Sequence, residues 1–202
     1  MLFAEQLLPD VLSCRESPER QGLVRSLLDD FRQTFPTIEF SLIPEFGFLN
    51  AQALLLGSKR LVKLYGGLAF HNRLGKDALA FALLHETGHH LAIGPRLNWN
   101  PWLACECVSD VWAVNDGAAA LRKQTGYSVN IQTAVEELDQ VIGQPAELEH
   151  SRACWAFSWR DRRASILKKR PQESNAECPL GELMMRATNA RLIEDSGQGP
   201  GV

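Results

Sequence analysis

Gly75-Lys-Asp-Ala-Leu-Ala-Phe-Ala-Leu-Leu-His-Glu-Thr-Gly-His-His-Leu91 joins the most apolar helical pattern of the chain to a His-Glu-x-x-His motif. Leu79, Phe81 and Leu83 are apolar, Lys76-Asp77 suit a first turn, and Gly94-Pro95 supplies the stop, so a helix is expected from Gly75 to about Leu91. On a helix, positions i and i+4 lie one turn apart on the same face, so the imidazoles of His85 and His89 can reach one metal ion. Glu86 is turned by about 100° from His85. It can therefore stand beside the metal's open position as a base rather than a ligand. Gly88 has no side chain and lets another segment approach closely. The run Ala78 to Leu84 leads straight into the motif, which places His85 inside the protein. Two buried histidines with a glutamate between them need partners, and a metal is the simplest one.

Two imidazoles leave a zinc site incomplete, because catalytic sites generally use three protein ligands and one water. A candidate third ligand is Glu106 in Glu106-Cys-Val-Ser-Asp110, expected on a helix from about Leu103 to Arg122. Glu106, Asp110, Ala113 and Gly117 share one helical face, and the last two are small enough to let that helix pack beside the first. Asp110, one turn beyond Glu106, would accept a hydrogen bond from the outer nitrogen of a ligating histidine and fix its tautomer. His90 is rotated away from His85 and reads as a surface or outer histidine. Cys105 and Cys107 flank Glu106 by about 100° each and read as buried thiols.

Here the sequence resembles the gluzincin zinc metallopeptidases, of which thermolysin is the familiar member: HExxH, then a downstream glutamate with an aspartate four residues later. The short spacing is more similar to minimal bacterial gluzincins of the ImmA/IrrE type. The resemblance covers residues 60–115 and implies a zincin-like fold, one Zn2+ per chain held by His85, His89 and Glu106, and Glu86 as general base in peptide-bond hydrolysis. In larger relatives a Tyr or His stabilises the oxyanion; Tyr127, His150 and Tyr65 are the candidates here. Zincin-like proteins hold substrate along a sheet edge, and residues 60–65 are the expected edge.

Outward from the motif, Leu2–Leu12 and Glu19–Phe35 read as amphipathic helices, the second capped by Ser17-Pro18 and ended by Pro36. Ile38, Phe40 and Leu42 alternate with polar residues as a half-buried strand does, and 46–56 and 60–65 are two more strand candidates around the turn at Gly57 to Arg60. Residues 96–102, with Trp99 and Trp102, read as a loop bordering the cleft. Further helices are expected at 130–142 and 146–169. The fold class is α+β: a small mixed or antiparallel sheet packed on the HExxH helix, with helices on either side. Residues 1–170 form the metallopeptidase domain and 171–202 a loosely attached tail.

The composition narrows the function. Of 202 residues, 45% are hydrophobic and 22% charged, which excludes rods and wholesale disorder. A net charge of −3 gives no electrostatic case for nucleic acid as the main partner. Five cysteines without a paired framework suit reduced thiols in a cytoplasm-like compartment. The N-terminal ten residues lack the basic and apolar regions of a signal peptide, and no stretch approaches a membrane span. Residues 155–170 form a basic segment with an aromatic start that could dock a regulatory protein partner, although a solvated helix face over buried tryptophans is the simpler expectation. The expected activity is limited, regulatory cytoplasmic proteolysis of a protein or peptide substrate. The alternatives are a non-catalytic zinc-binding regulatory module, or a hydrolase of another bond.

Overall fold

The computed structural model describes residues 14–97, 100–142 and 159–168. The expected helix at Leu2–Leu12, Trp99, His150 and the tail at 171–202 lie outside them. Helix α1 (Pro18–Thr34) begins where its cap predicts: Ser17 Oγ accepts the Arg20 amide at 3.2 Å, and Pro18 occupies the first turn, where no amide is needed. Val24, Leu27, Leu28 and Phe31 form its buried stripe.

Strands β1 (Ile38–Ile43), β2 (Ala51–Leu56) and β3 (Lys59–Tyr65) make a mixed sheet in the order β1-β3-β2. β1 runs parallel to β3, and β2 antiparallel to it through a two-residue turn in which Gly57 takes φ +61°. Ile38, Phe40, Ala51, Ala53, Val62 and Leu64 point to the buried face, the period of two that a half-covered sheet requires. Two expectations need correction. The second strand begins at Ala51, not 46, because the Phe46 and Phe48 carbonyls turn away to accept the amides of Gly67 and Leu68. Residues 60–65 are the centre of the sheet, not its edge, because β1 pairs along their full length; the edges are β1 and β2.

A short helix, α2 (Gly66–Ala69), leads to α3 (Lys76–Leu91), the central helix of the fold. Every residue from Ala78 to His90 is buried, so α3 is enclosed all round rather than amphipathic. Its neighbours are α1, β2, β3 and, later in the chain, residues 100–104, 106–117 and 131–139. The expected loop at 96–102 is instead a hairpin of β4 (Arg96–Leu97) and β5 (Asn100–Ala104), and it delays the next helix, α4, to Glu106–Trp112. α4 passes through a π turn at Ala113–Gly117 into α5 (Ala118–Thr125), which ends on Gly126 at φ +78°. Beyond lie α6 (Ile131–Asp139) and α7 (Trp159–Lys168).

One apolar cluster unites α1, the sheet, α2, α3, α5, α6 and Ile166 of α7. A smaller one gathers Ala53, Leu97, Leu103, Cys105 and Cys107 beside it, so both thiols are buried. The architecture is α+β, and no helix among the described residues is long and apolar enough to cross a membrane.

Candidate metal centre

α3 presents His85 and His89 one turn apart, with ring centroids separated by 4.6 Å. α4 can lie against this turn because of Gly88: a Cβ there would stand 2.9 Å from the Ser109 carbonyl oxygen and 3.0 Å from Ser109 Cα. That contact brings the first residue of α4, Glu106, over the two rings.

Each ring is oriented from outside. His89 Nδ1 donates to the Ala104 carbonyl at 2.6 Å, at the end of β5, with Ser109 Oγ 3.0 Å away. His85 Nδ1 lies 2.8 Å from Asp110 Oδ1. Both Nε2 atoms therefore turn inward, 3.1 Å apart. Glu106 Oε2 stands 3.1 Å from His85 Nε2, and Glu106 Oε1 3.6 Å from His89 Nε2. Ligands on a tetrahedral ion with bonds of 2.0–2.1 Å sit about 3.3 Å from one another. The triangle has that size.

Glu86 also stands beside His85. Its Oε2 accepts the Ala53 amide of β2 at 2.7 Å, while its Oε1, 3.9 Å from His85 Nε2, is buried without a hydrogen-bond partner among the described residues. The ligand atoms of His85, Glu86 and His89 all fall within 4.8 Å of one another.

Arg162 of α7 is the residue the sequence reading missed. Its Nε and Nη2 donate to Asp110 Oδ2 and Oδ1 at 2.7 and 2.8 Å, and its Nη1 reaches Glu106 Oε2 at 3.2 Å. The signal was present: Trp159, Arg162 and Ile166 follow a helical stripe and are all buried, so an arginine stands where an apolar residue belongs. The stripe of the basic segment thus faces inward, and Trp159 Nε1 donates to Asp139 Oδ1 of α6 at 2.6 Å.

Buried together are three carboxylates (Glu86, Glu106, Asp110), one guanidinium and two imidazoles. With both imidazoles neutral and the carboxylates ionised, the cluster carries two surplus negative charges, which a divalent cation would cancel. Without a cation the protein compensates through protons. Burial pulls His85 down, but the Asp110 charge and the hydrogen bonds that His85 donates to Asp110 and Glu106 outweigh it and hold His85 up at about 9. Burial dominates at His89 and takes it down to about 4. Burial also pushes Glu86 up. It acts the same way on Glu106, but the charges of His89 and Arg162 override it and keep Glu106 well below the usual carboxylate range.

The other candidates lie elsewhere. Tyr127 donates its hydroxyl to Asp77 Oδ1 at 2.6 Å, about two turns up α3 from His85. Tyr65 bonds Gln52 Oε1 at 2.9 Å and packs on Phe46 and Phe48, on the sheet face turned away from α3. Neither hydroxyl is directed at the centre. His90 is not on the surface: it is buried, and its Nε2 donates to the Leu61 carbonyl at 3.0 Å. Trp102 is half exposed on β5. Compared with protein-family models, with curated proteins and with solved structures, the chain matches none.

Proposed function

We propose that this chain is a zinc-dependent metalloendopeptidase of gluzincin type on a zincin-like fold, performing limited, regulatory proteolysis in a cytoplasm-like compartment. The carrying observation is the triangle of His85 Nε2, His89 Nε2 and the Glu106 carboxylate, with Glu86 Oε1 buried and unpartnered beside it. Two imidazoles and a carboxylate are the donor set of a catalytic zinc site that keeps one position open. The buried Cys105 and Cys107 suit a reducing environment.

A zinc ion held by His85, His89 and Glu106 would supply Lewis acidity and an acidified water. The chain's own residues do the rest. Asp110 holds the proton of His85 on Nδ1, and the Ala104 carbonyl does so for His89, which keeps both Nε2 lone pairs turned inward. Glu86, anchored at Oε2 by Ala53, has Oε1 available to take the proton of the attacking water as its oxygen bonds to the scissile carbonyl carbon. The same oxygen returns that proton to the amine nitrogen as the C–N bond breaks, regenerating the carboxylate. β2, the sheet edge beside α3, replaces residues 60–65 as the strand along which an extended peptide would add.

A second reading has an observation of its own: His85 is 0%, Glu86 2%, His89 3% and Glu106 7% exposed, as in a zinc module that cleaves nothing. One experiment separates the two. Wild type and Glu86→Gln are incubated with cell lysate and new protein termini are compared. The peptidase reading expects termini made by wild type only; zinc binding by both with no new termini from either favours the module.

A further inference from the structure

A guanidinium that touches both Glu106 and Asp110 is not accounted for by any step above. We propose that Arg162 is a positioning residue of the metal centre, bridging the third ligand and the aspartate behind His85, so that the buried face of α7 is part of the centre; this rests on the metal-centre reading.

Three observations carry it. First, Asp110 is 1% exposed, and the structure gives its Oδ2 the guanidinium as donor, while Oδ1 is shared between Arg162 and His85. The two-point bridge holds the carboxylate plane fixed, and Asp110 in turn holds the His85 ring. Second, Glu106 Oε2 lies between His85 Nε2 at 3.1 Å and Arg162 Nη1 at 3.2 Å. The bridge therefore limits the side-chain rotamers open to Glu106 before any ion arrives. Third, the guanidinium nitrogens are engaged with these carboxylates, with Nη2 also 3.4 Å from His85 Nδ1. Arg162 thus acts through the ligands and not on substrate.

Coulomb repulsion between a guanidinium and a metal cation works in the opposite sense and, acting alone, would make removal of Arg162 tighten binding. Loss of the bridge leaves Asp110 Oδ2 buried without its donor and frees Asp110, Glu106 and His85 to adopt other orientations. Positioning therefore predicts weaker binding, and the sign decides.

The test compares full-length wild type, Arg162→Met and Arg162→Lys for Zn2+ dissociation constants by chelator competition and for the visible spectrum of the Co2+-loaded protein. The expected result is a Zn2+ affinity lower by roughly 10–100-fold in Arg162→Met, with altered intensity of the Co2+ bands, and partial recovery of both in Arg162→Lys. If Arg162→Met fails to fold, Arg162→Lys alone must show weaker Zn2+ binding and an altered spectrum. Unchanged or tighter binding with an unchanged Co2+ spectrum, even at a lowered melting temperature, overturns the proposal and leaves the metal centre standing. No metal binding by wild type overturns both.

Discussion

Ala53, on the edge strand β2, donates its main-chain N–H to Glu86 Oε2 at 2.7 Å, and this one hydrogen bond decides which carboxylate oxygen remains over. A sheet edge thereby orients the carboxylate: Oε1, not Oε2, is left without a hydrogen-bond partner among the described residues, 3.9 Å from His85 Nε2. Such a carboxylate costs desolvation that a purely structural zinc site has no reason to bear.

Glu86→Gln is accordingly expected to retain zinc, to keep or gain thermal stability, and to cleave nothing, since an amide cannot accept the water's proton. Metal content, melting temperature and cleavage of the substrate found in lysate check this together. Cleavage at the wild-type rate would exclude Glu86 as the base.

Purified protein should carry about one zinc per chain. His85→Ala and His89→Ala should lose most of it. His90→Ala should keep it but melt earlier, because that ring is buried and satisfies the Leu61 carbonyl. Elemental analysis with a thermal melt of each variant separates the two effects, and full zinc in His85→Ala would refute the ligand assignment.

Asp110→Asn tests the support behind His85. Zinc affinity or activity should fall roughly 10–100-fold. The two-point contact with Arg162 makes a loss of stability expected as well, since breaking a buried ion pair typically costs about 3–5 kcal/mol. Urea unfolding and zinc competition on the same sample measure both, and no change in either would mean that Asp110 supports nothing.

Gly88→Ala puts a methyl group 2.9 Å from the Ser109 carbonyl oxygen and 3.0 Å from Ser109 Cα, which are backbone atoms and cannot rotate away. A loss of about 1–3 kcal/mol is expected, with weaker zinc binding as α4 is pushed off α3. Neutral stability and full zinc affinity would show that the helices have room to part.

The chelated protein should be most stable near pH 6.5. His85 is held up at about 9 against an ordinary 6.5, so the stability it contributes is complete below 6.5 and is lost as the pH rises through 9. His89 is held down at about 4, so its contribution is present above 6.5 and is lost as the pH falls through 4. Urea midpoints from pH 4 to 9 trace the dome. A midpoint that climbs steadily from 6.5 to 9 would mean that His85 is neutral in the metal-free protein.

Local periodicity was sufficient for much of this protein. The four-residue spacing of His85 and His89 puts both rings on one face wherever that helix lies, Ser17-Pro18 starts α1 through its own hydroxyl and ring, and Ile38-Glu-Phe-Ser-Leu alternates as a half-covered strand does. Glu106 and Asp110 were legible as a pair because one helical turn separates them.

Where distant segments meet was left to the tertiary structure. Strand order depends on which partner β3 finds, and its parallel pairing with β1 puts residues 60–65 at the centre and leaves β1 and β2 as the edges. The hairpin at 96–104 read as a loop because its strands are too short to show a period. Arg162 lies 52 residues beyond Asp110, and no pattern along the chain states that separation. Helix geometry is set by hydrogen bonds between near neighbours and is written locally, whereas a buried charge finds its counter-charge only when the core closes around both.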